Sequence, residues 1–216
     1  AIARTKSGII KPSAIVVTAE QVADAQAVLA EAVELTESPL VVVGRDVIVD
    51  ATIAVGGQML SIKGTAGEYD DLFLGLYGQH QAQNAALAIA AVESFLGGSS
   101  ISLDPEVLAE AFASVQSPGR LQLVGKNPTV LVDAAHNPHG AAALAKALES
   151  FFTFDEVVLV FAALADKDAE GILREIAPHV TSIIVTTIDS ERATEPAKLA
   201  DLAATVVGAE NVVVIP

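Results

Sequence analysis

Residues 130–140 read VLVDAAHNPHG, and this stretch decides the fold. Three apolar residues, Val130, Leu131 and Val132, run into a carboxylate at Asp133. Two alanines follow, then His136, Asn137 and Pro138, then a glycine and an alanine-rich run. The pattern predicts a buried strand that stops at Asp133 and a helix that begins near Pro138. Proline suits the first helical position, where its fixed φ is already helical and the amide hydrogen it lacks would have no partner. Asn137 suits the N-cap, where a side-chain oxygen accepts from a free amide of the first turn. Polar residues between the carboxyl end of a strand and the amino end of a helix lie where open α/β sheets bind ligands.

From this turn toward the carboxyl end, apolar runs alternate with helical patterns. Strands are expected at 121–124, 129–132, 157–162, 182–187 and 212–215, and helices at 138–150, 169–177 and 195–206. That alternation predicts a three-layer, Rossmann-like α/β domain with a mostly parallel sheet. Toward the amino end, Ser117-Pro118-Gly119 is the best candidate hinge, and it divides the chain into residues 1–117 and 118–216. In the first part a strand at 14–18, a helix over 20–36 and a strand at 40–43 imply parallel pairing. From 46 to 76 the apolar runs shorten and are broken by Gly56-Gly57, Gly64 and Gly67, which reads as antiparallel hairpins. An alanine-rich helix is expected at 79–95, ended by Gly97-Gly98. Asp104-Pro105 opens another that runs to 115.

The chain has 216 residues, 52% of them hydrophobic and 18% charged, enough for one large or two small domains with a substantial core. Aromatics are only 4%, so that core must be mostly Ala, Val, Leu and Ile. A net charge of −15 argues against a nucleic-acid or anionic-membrane surface, because phosphates call for a basic patch. The absence of Cys excludes disulfides and thiolate zinc sites and fits a reducing, cytoplasmic setting. The longest apolar run, 157–165, is far short of the roughly 18 residues a membrane helix needs. The opening, AIARTKSGIIKP, has neither an initiator Met nor a signal-peptide layout, so the chain is expected to start inside a larger protein. The last apolar run ends at Pro216, so a cut carboxyl end is expected too.

Several residues could carry chemistry. Asp133, at a strand's carboxyl end, can accept hydrogen bonds from a ribose diol, or it can cap backbone amides of the turn. Both readings stay open, and His136 shares the turn. Arg120 follows the hinge directly, where a guanidinium could swing onto a phosphate or sit in a surface ion pair. His80, Gln81 and Asn84 open the alanine-rich helix three and four residues apart, hence on one face. An Asn amide offers a donor beside an acceptor, which matches the edge of adenine; the plain alternative is a solvated first turn. Lys6 alone would be a surface charge. Asp166-Lys167-Asp168 reads best as a helix cap. No Gly-x-x-x-x-Gly-Lys-Ser/Thr loop is present, so this chain by itself is not expected to hold a triphosphate.

Taken together, GQHQAQNAALAIAA (78–91), SPGRLQ (117–122) and VDAAHNPHGA (132–141) resemble the folylpolyglutamate synthase/dihydrofolate synthase branch of the Mur-ligase superfamily. The opening ARTKSGIIKP resembles that branch's Glu-Lys-Ala-Gly-Ile-Ile/Met-Lys region, with Thr5 and Ser7 replacing the family's Glu and Ala. The resemblance covers nearly the whole chain. It implies the later part of a central ATPase domain followed by a Rossmann-like ligase domain, with an amino-terminal P-loop half missing. It implies an ATP-dependent ligase that joins L-glutamate to the γ-carboxylate of a folate (tetrahydrofolate or dihydropteroate) through an acyl phosphate, and a chain inactive alone. By the same resemblance Asn84 contacts adenine, with His80 and Gln81 shaping the pocket. Arg120 reaches the phosphates, Asp133 holds the ribose and His136 lies near glutamate. Lys6 aligns with a lysine whose carbamate supports Mg²⁺. Two alternatives remain: a ligase acting on peptidoglycan precursors, and a non-catalytic nucleotide- or partner-binding module. No membrane or nucleic-acid partner is expected.

Overall fold

The computed structural model describes residues 2–216, which fall into two units divided between Gln116 and Ser117. The first opens on a short helix, α1 (Ile2–Ser7), which the sequence pattern did not suggest because no apolar periodicity marks it. β1 (Val16–Ala19), α2 (Ala23–Leu35) and β2 (Leu40–Val43) follow. β1 and β2 pair in parallel, Val16 opposite Leu40 through Ala19 opposite Val43. The first strand starts two residues later than expected. Ser13 takes φ +60 and the Ala14 N–H donates to the Lys11 carbonyl, so both residues belong to a turn.

The section from 46 to 76 folds as an antiparallel sheet of β3 (Ile48–Ala54), β4 (Gly57–Lys63) and β5 (Glu68–Leu74), with β4 in the centre. α3 (Gln79–Leu96) packs on these strands. Its inward face is Ala82, Ala85, Ala86, Ile89 and Ala90, against Leu60, Ile62, Tyr69, Leu72 and Leu74. Side chains that end at Cβ let the helix backbone approach the sheet closely, which suits a core with few aromatics. α4 (Pro105–Ser114) starts as expected, with Asp104 accepting from the Glu106 and Val107 amides.

In the second unit β6 (Gln122–Lys126) and β7 (Thr129–Val132) form an antiparallel pair of their own. Only two residues separate them, too few for the crossover that parallel pairing demands. Then come α5 (Pro138–Phe151), β8 (Val158–Phe161), α6 (Ala169–Ile176), β9 (Ser182–Val185), α7 (Pro196–Val207) and β10 (Val212–Val214). β8, β9 and β10 form a parallel sheet with β9 in the middle. Its core joins Phe161, Ile183 and Val185 to Ala141 of α5, to Ile172 and Leu173 of α6, and to Leu199 and Ala203 of α7. Successive strand residues face opposite ways. Val160 and Val213, out of step with that core, stand 63% and 53% exposed. The class is α/β as expected, and the strand-to-helix order reproduces the pattern read from the sequence.

Candidate functional site

The turn after β7 is built by short-range bonds. Asn137 is the N-cap of α5, its side-chain oxygen accepting from the Gly140 N–H at 2.8 Å, with Pro138 in the first turn. The facing loop at 117–120 is a β-turn closed by the Arg120 N–H donating to the Ser117 carbonyl at 3.1 Å. Pro118 and Gly119 fill its central positions. Gly119 has φ +69, the value a type II turn requires there and one that side chains resist. Leu121, the next residue, is only 3% exposed and also has a positive φ of 44, unusual for a branched side chain.

Asp133 joins these two segments. One carboxylate oxygen accepts from the Leu121 N–H at 2.7 Å and the other from the Ala135 N–H at 2.7 Å. The Ala134 N–H adds a bond to the Gly119 carbonyl at 2.8 Å. Of the two readings left open, the backbone-capping one is therefore made. It does not use up the group: an ionised carboxylate has about four acceptor sites and only two are taken.

His136 is exposed, and its Nδ1 lies 3.1 Å from the Ala134 carbonyl. A carbonyl can only accept, so this bond puts the proton on Nδ1 and leaves Nε2 open. Arg120 is exposed and its guanidinium makes no ion pair or hydrogen bond with the described residues. The second unit thus brings Arg120, Asp133 and His136 to one pair of adjoining loops.

In the first unit the polar face that opens α3 divides. Gln81 is buried at 6% exposure, while Asn84 is exposed. The Asn84 amide donates to Gln81 Oε1 at 3.2 Å, so Gln81 orients Asn84 from inside. His80 is half-buried on the same turn. The Lys6 side chain lies exposed on α1 and makes no ion pair or hydrogen bond among the described residues. An ammonium offers no metal ligand, and no three His, Cys, Asp or Glu side chains gather as ligands among the described residues. Asp168 caps α6 through the Gly171 N–H at 2.8 Å, the role its position suggested. A cavity of about 250 Å³ lined by Ile48, Asp50, Ser61, Lys63, Glu68 and Asp70 involves none of the candidate residues.

Two groups escaped sequence reasoning. Gln58 of β4, 2% exposed, donates to the Leu76 carbonyl at 3.0 Å and the Gly78 carbonyl at 3.1 Å. Glu93 of α3 is fully buried; it accepts from the Thr65 N–H at 2.7 Å, the Thr65 hydroxyl at 2.8 Å and the Tyr69 hydroxyl at 2.6 Å. A Cβ at Gly64 would run into that carboxylate, so the hairpin loop needs glycine there. The Tyr69 oxygen in turn accepts from the Leu103 N–H at 2.9 Å. Burial first, then the Glu93 carboxylate beside it, push the Tyr69 hydroxyl above its usual pKa. The only sequence signal was a Gln and a Glu placed in otherwise apolar faces.

A family model described as Mur ligase, glutamate ligase domain, matches residues 119–216. A dihydrofolate synthase/folylpolyglutamate synthase of Mycobacterium tuberculosis is 42% identical over 207 residues, which is 92% of this chain and 42% of that protein. A crystal structure of M. tuberculosis folylpolyglutamate synthase complexed with ADP and AMPPCP superposes with a TM-score of 0.93 at 40% identity, over 99% of this chain and 49% of that one. A folylpolyglutamate synthase–AMPPCP–folate complex is 27% identical, with a TM-score of 0.80 over 99% of this chain and 52% of that one. The chain thus spans about half the length of the proteins it matches.

Proposed function

We propose that this chain, which belongs to the folylpolyglutamate synthase/dihydrofolate synthase branch of the Mur ligases, serves an ATP-dependent ligase that adds L-glutamate to the γ-carboxylate of a folate. The observation that carries this reading is the superposition of 99% of this chain, at a TM-score of 0.93, on 49% of a folylpolyglutamate synthase complexed with ADP and AMPPCP. The reading also sets the reaction in the cytoplasm, and it requires no nucleic-acid or membrane partner.

In this proposal ATP phosphorylates the γ-carboxylate of the folate. The amine of glutamate attacks the acyl phosphate, a tetrahedral intermediate forms, and phosphate leaves. The chain's own groups have distinct work. Asn84 meets the adenine edge, oriented by Gln81, with His80 shaping that end. Asp133 gives its two remaining acceptor sites to the ribose hydroxyls while its other two hold the turn. Arg120, free of any ion pair among the described residues, lies against the phosphates and stabilises charge as it develops. His136 offers Nε2 to the incoming glutamate. Pro118-Gly119, next to the boundary between the two units, is the hinge in this reading. Lys6 could support Mg²⁺ only as a carbamate, which would convert the cation into an anion. The described residues do not otherwise assemble a metal site.

The test is direct. The protein expressed at its full genomic length is incubated with ATP, L-glutamate and either tetrahydrofolate or dihydropteroate. The expected product is the folate heavier by one glutamate, with one phosphate released per bond. Glutamate addition to a UDP-muramoyl acceptor instead, or to no acceptor, would overturn the reading. The 216-residue chain alone is expected to show no turnover.

A further inference from the structure

The reading above gives α3 the adenine end of the nucleotide but leaves the antiparallel sheet before it without a task. We propose that this sheet fixes the nucleotide-facing turn of α3, with Gln58 as the positioning residue; this inference rests on the function proposed above. Gln58 touches no candidate ligand contact. It acts through a continuous series of bonds. From β4 its amide donates to the Leu76 and Gly78 carbonyls, on either side of Tyr77. The Gly78 carbonyl also accepts from the Gln81 N–H at 2.9 Å, and the Gln81 side chain accepts from Asn84.

The need for an external anchor is visible in the helix itself. The N-cap of α3 is Gly78, which has no side chain to cap with, and no side-chain cap bond is made there. The chain enters at φ +99. An entry without a cap frays readily. A buried amide with both hydrogens engaged by flanking carbonyls holds it in one pose. Glu93 anchors the same helix at its far end, about 21 Å along the axis at 1.5 Å per residue. The two anchors therefore separate position from stability. Both secure α3 to the β4–β5 hairpin, but only Gln58 reaches the turn that carries Gln81 and Asn84.

The experiment uses the full-length enzyme, with KM and kcat for ATP, KM for glutamate, ADP affinity by calorimetry, and Tm. Gln58→Met keeps the shape and removes both donors. It is expected to raise the ATP KM and weaken ADP binding roughly tenfold, leaving kcat and the glutamate KM within about twofold. Gln58→Asn keeps the donors on a shorter arm and should fall between it and wild type; should Gln58→Met fail to fold, Gln58→Asn decides by the same criterion. Glu93→Gln should lower Tm while ADP affinity stays unchanged. ADP binding by the Gln58 variant equal to wild type, or an equal loss in Glu93→Gln, would overturn the proposal. Asn84→Ala separates the two levels. If it leaves ADP binding intact, the nucleotide reading of α3 fails. If it weakens binding and Gln58→Met or its Asn substitute does not, only the positioning role fails.

Discussion

At residues 76–84 the chain is held from outside, by a buried amide on β4 that belongs to no candidate contact. At residues 117–135 it is held from within, by Asp133, the same carboxylate proposed to meet the ribose. The first arrangement divides labour: one residue fixes the turn and another faces solvent. The second fuses the two tasks in one side chain. Mutation should therefore separate stability from activity in the first unit and fail to separate them through Asp133 in the second.

The largest effect is expected at Glu93. Glu93→Ala removes the acceptor for three donors inside the first unit and leaves a void beside the Gly64 loop. Unpaired buried groups and the lost volume together should cost about 4 kcal/mol of folding stability, read as a shift in the urea midpoint. ADP affinity of the folded fraction should stay within about twofold. A parallel fall in ADP affinity would break the division of labour claimed for this unit.

Asp133→Ala should come next, and it should strike both properties. Two charge-assisted bonds vanish, one of them the restraint on Leu121 at positive φ, so about 2–3 kcal/mol of stability is at stake. Turnover of the full-length enzyme should fall together with stability. Asp133→Asn keeps one oxygen acceptor and should recover part of the stability but less of the turnover. A variant with normal stability and lost turnover would show that the turn has another support.

The contrast also explains what the sequence disclosed. The turn around Asp133 was legible in part because two of its supports are local: Asn137 caps Gly140 three residues on, and Asp133 reaches Ala135 two residues on, whereas its bond to Leu121 twelve residues back was not. Residue type and spacing carry such local bonds. The hairpins at 46–76 and the extent of α3 were legible for the same reason, from glycine punctuation and alanine periodicity. The supports of α3 were not. Gln58 bonds to a backbone carbonyl 20 residues away and Glu93 to Thr65 and Tyr69, 28 and 24 residues away, separations that no local spacing rule covers. The division of the α3 face between a buried Gln81 and an exposed Asn84 was also hidden, because helical spacing gives direction and not depth.

Arg120→Ala offers a sharper version of the contrast inside the second unit. The guanidinium is exposed and unpaired among the described residues, so unfolding should change by less than about 0.5 kcal/mol. Turnover of the full-length enzyme should drop at least tenfold, equivalent to roughly 1.4 kcal/mol in the transition state. Near-normal turnover would remove Arg120 from the phosphate site while leaving the role of Asp133 standing.

The smallest effect is a pH dependence confined to the first unit. Tyr69 is 2% exposed, and burial together with the neighbouring Glu93 raises its hydroxyl pKa in the folded state. In the unfolded chain the hydroxyl titrates near its ordinary value of about 10. Below that pH both states hold the proton, and the stabilising contribution of the neutral, hydrogen-bonded hydroxyl is fully present. As pH rises past about 10 the unfolded chain loses the proton first. Stability then falls, by at most about 1.4 kcal/mol per pH unit, until the folded state titrates too. Tyr69→Phe lacks the proton and so lacks this loss. The stability gap between wild type and Tyr69→Phe, measured by urea unfolding, should be constant from pH 7 to about 9 and narrow above pH 10. Lysines titrate equally in both proteins and cancel in the difference. A gap that stays constant to pH 11 would mean that Tyr69 is no more protected than a surface tyrosine, and that the Glu93 anchor is open to water.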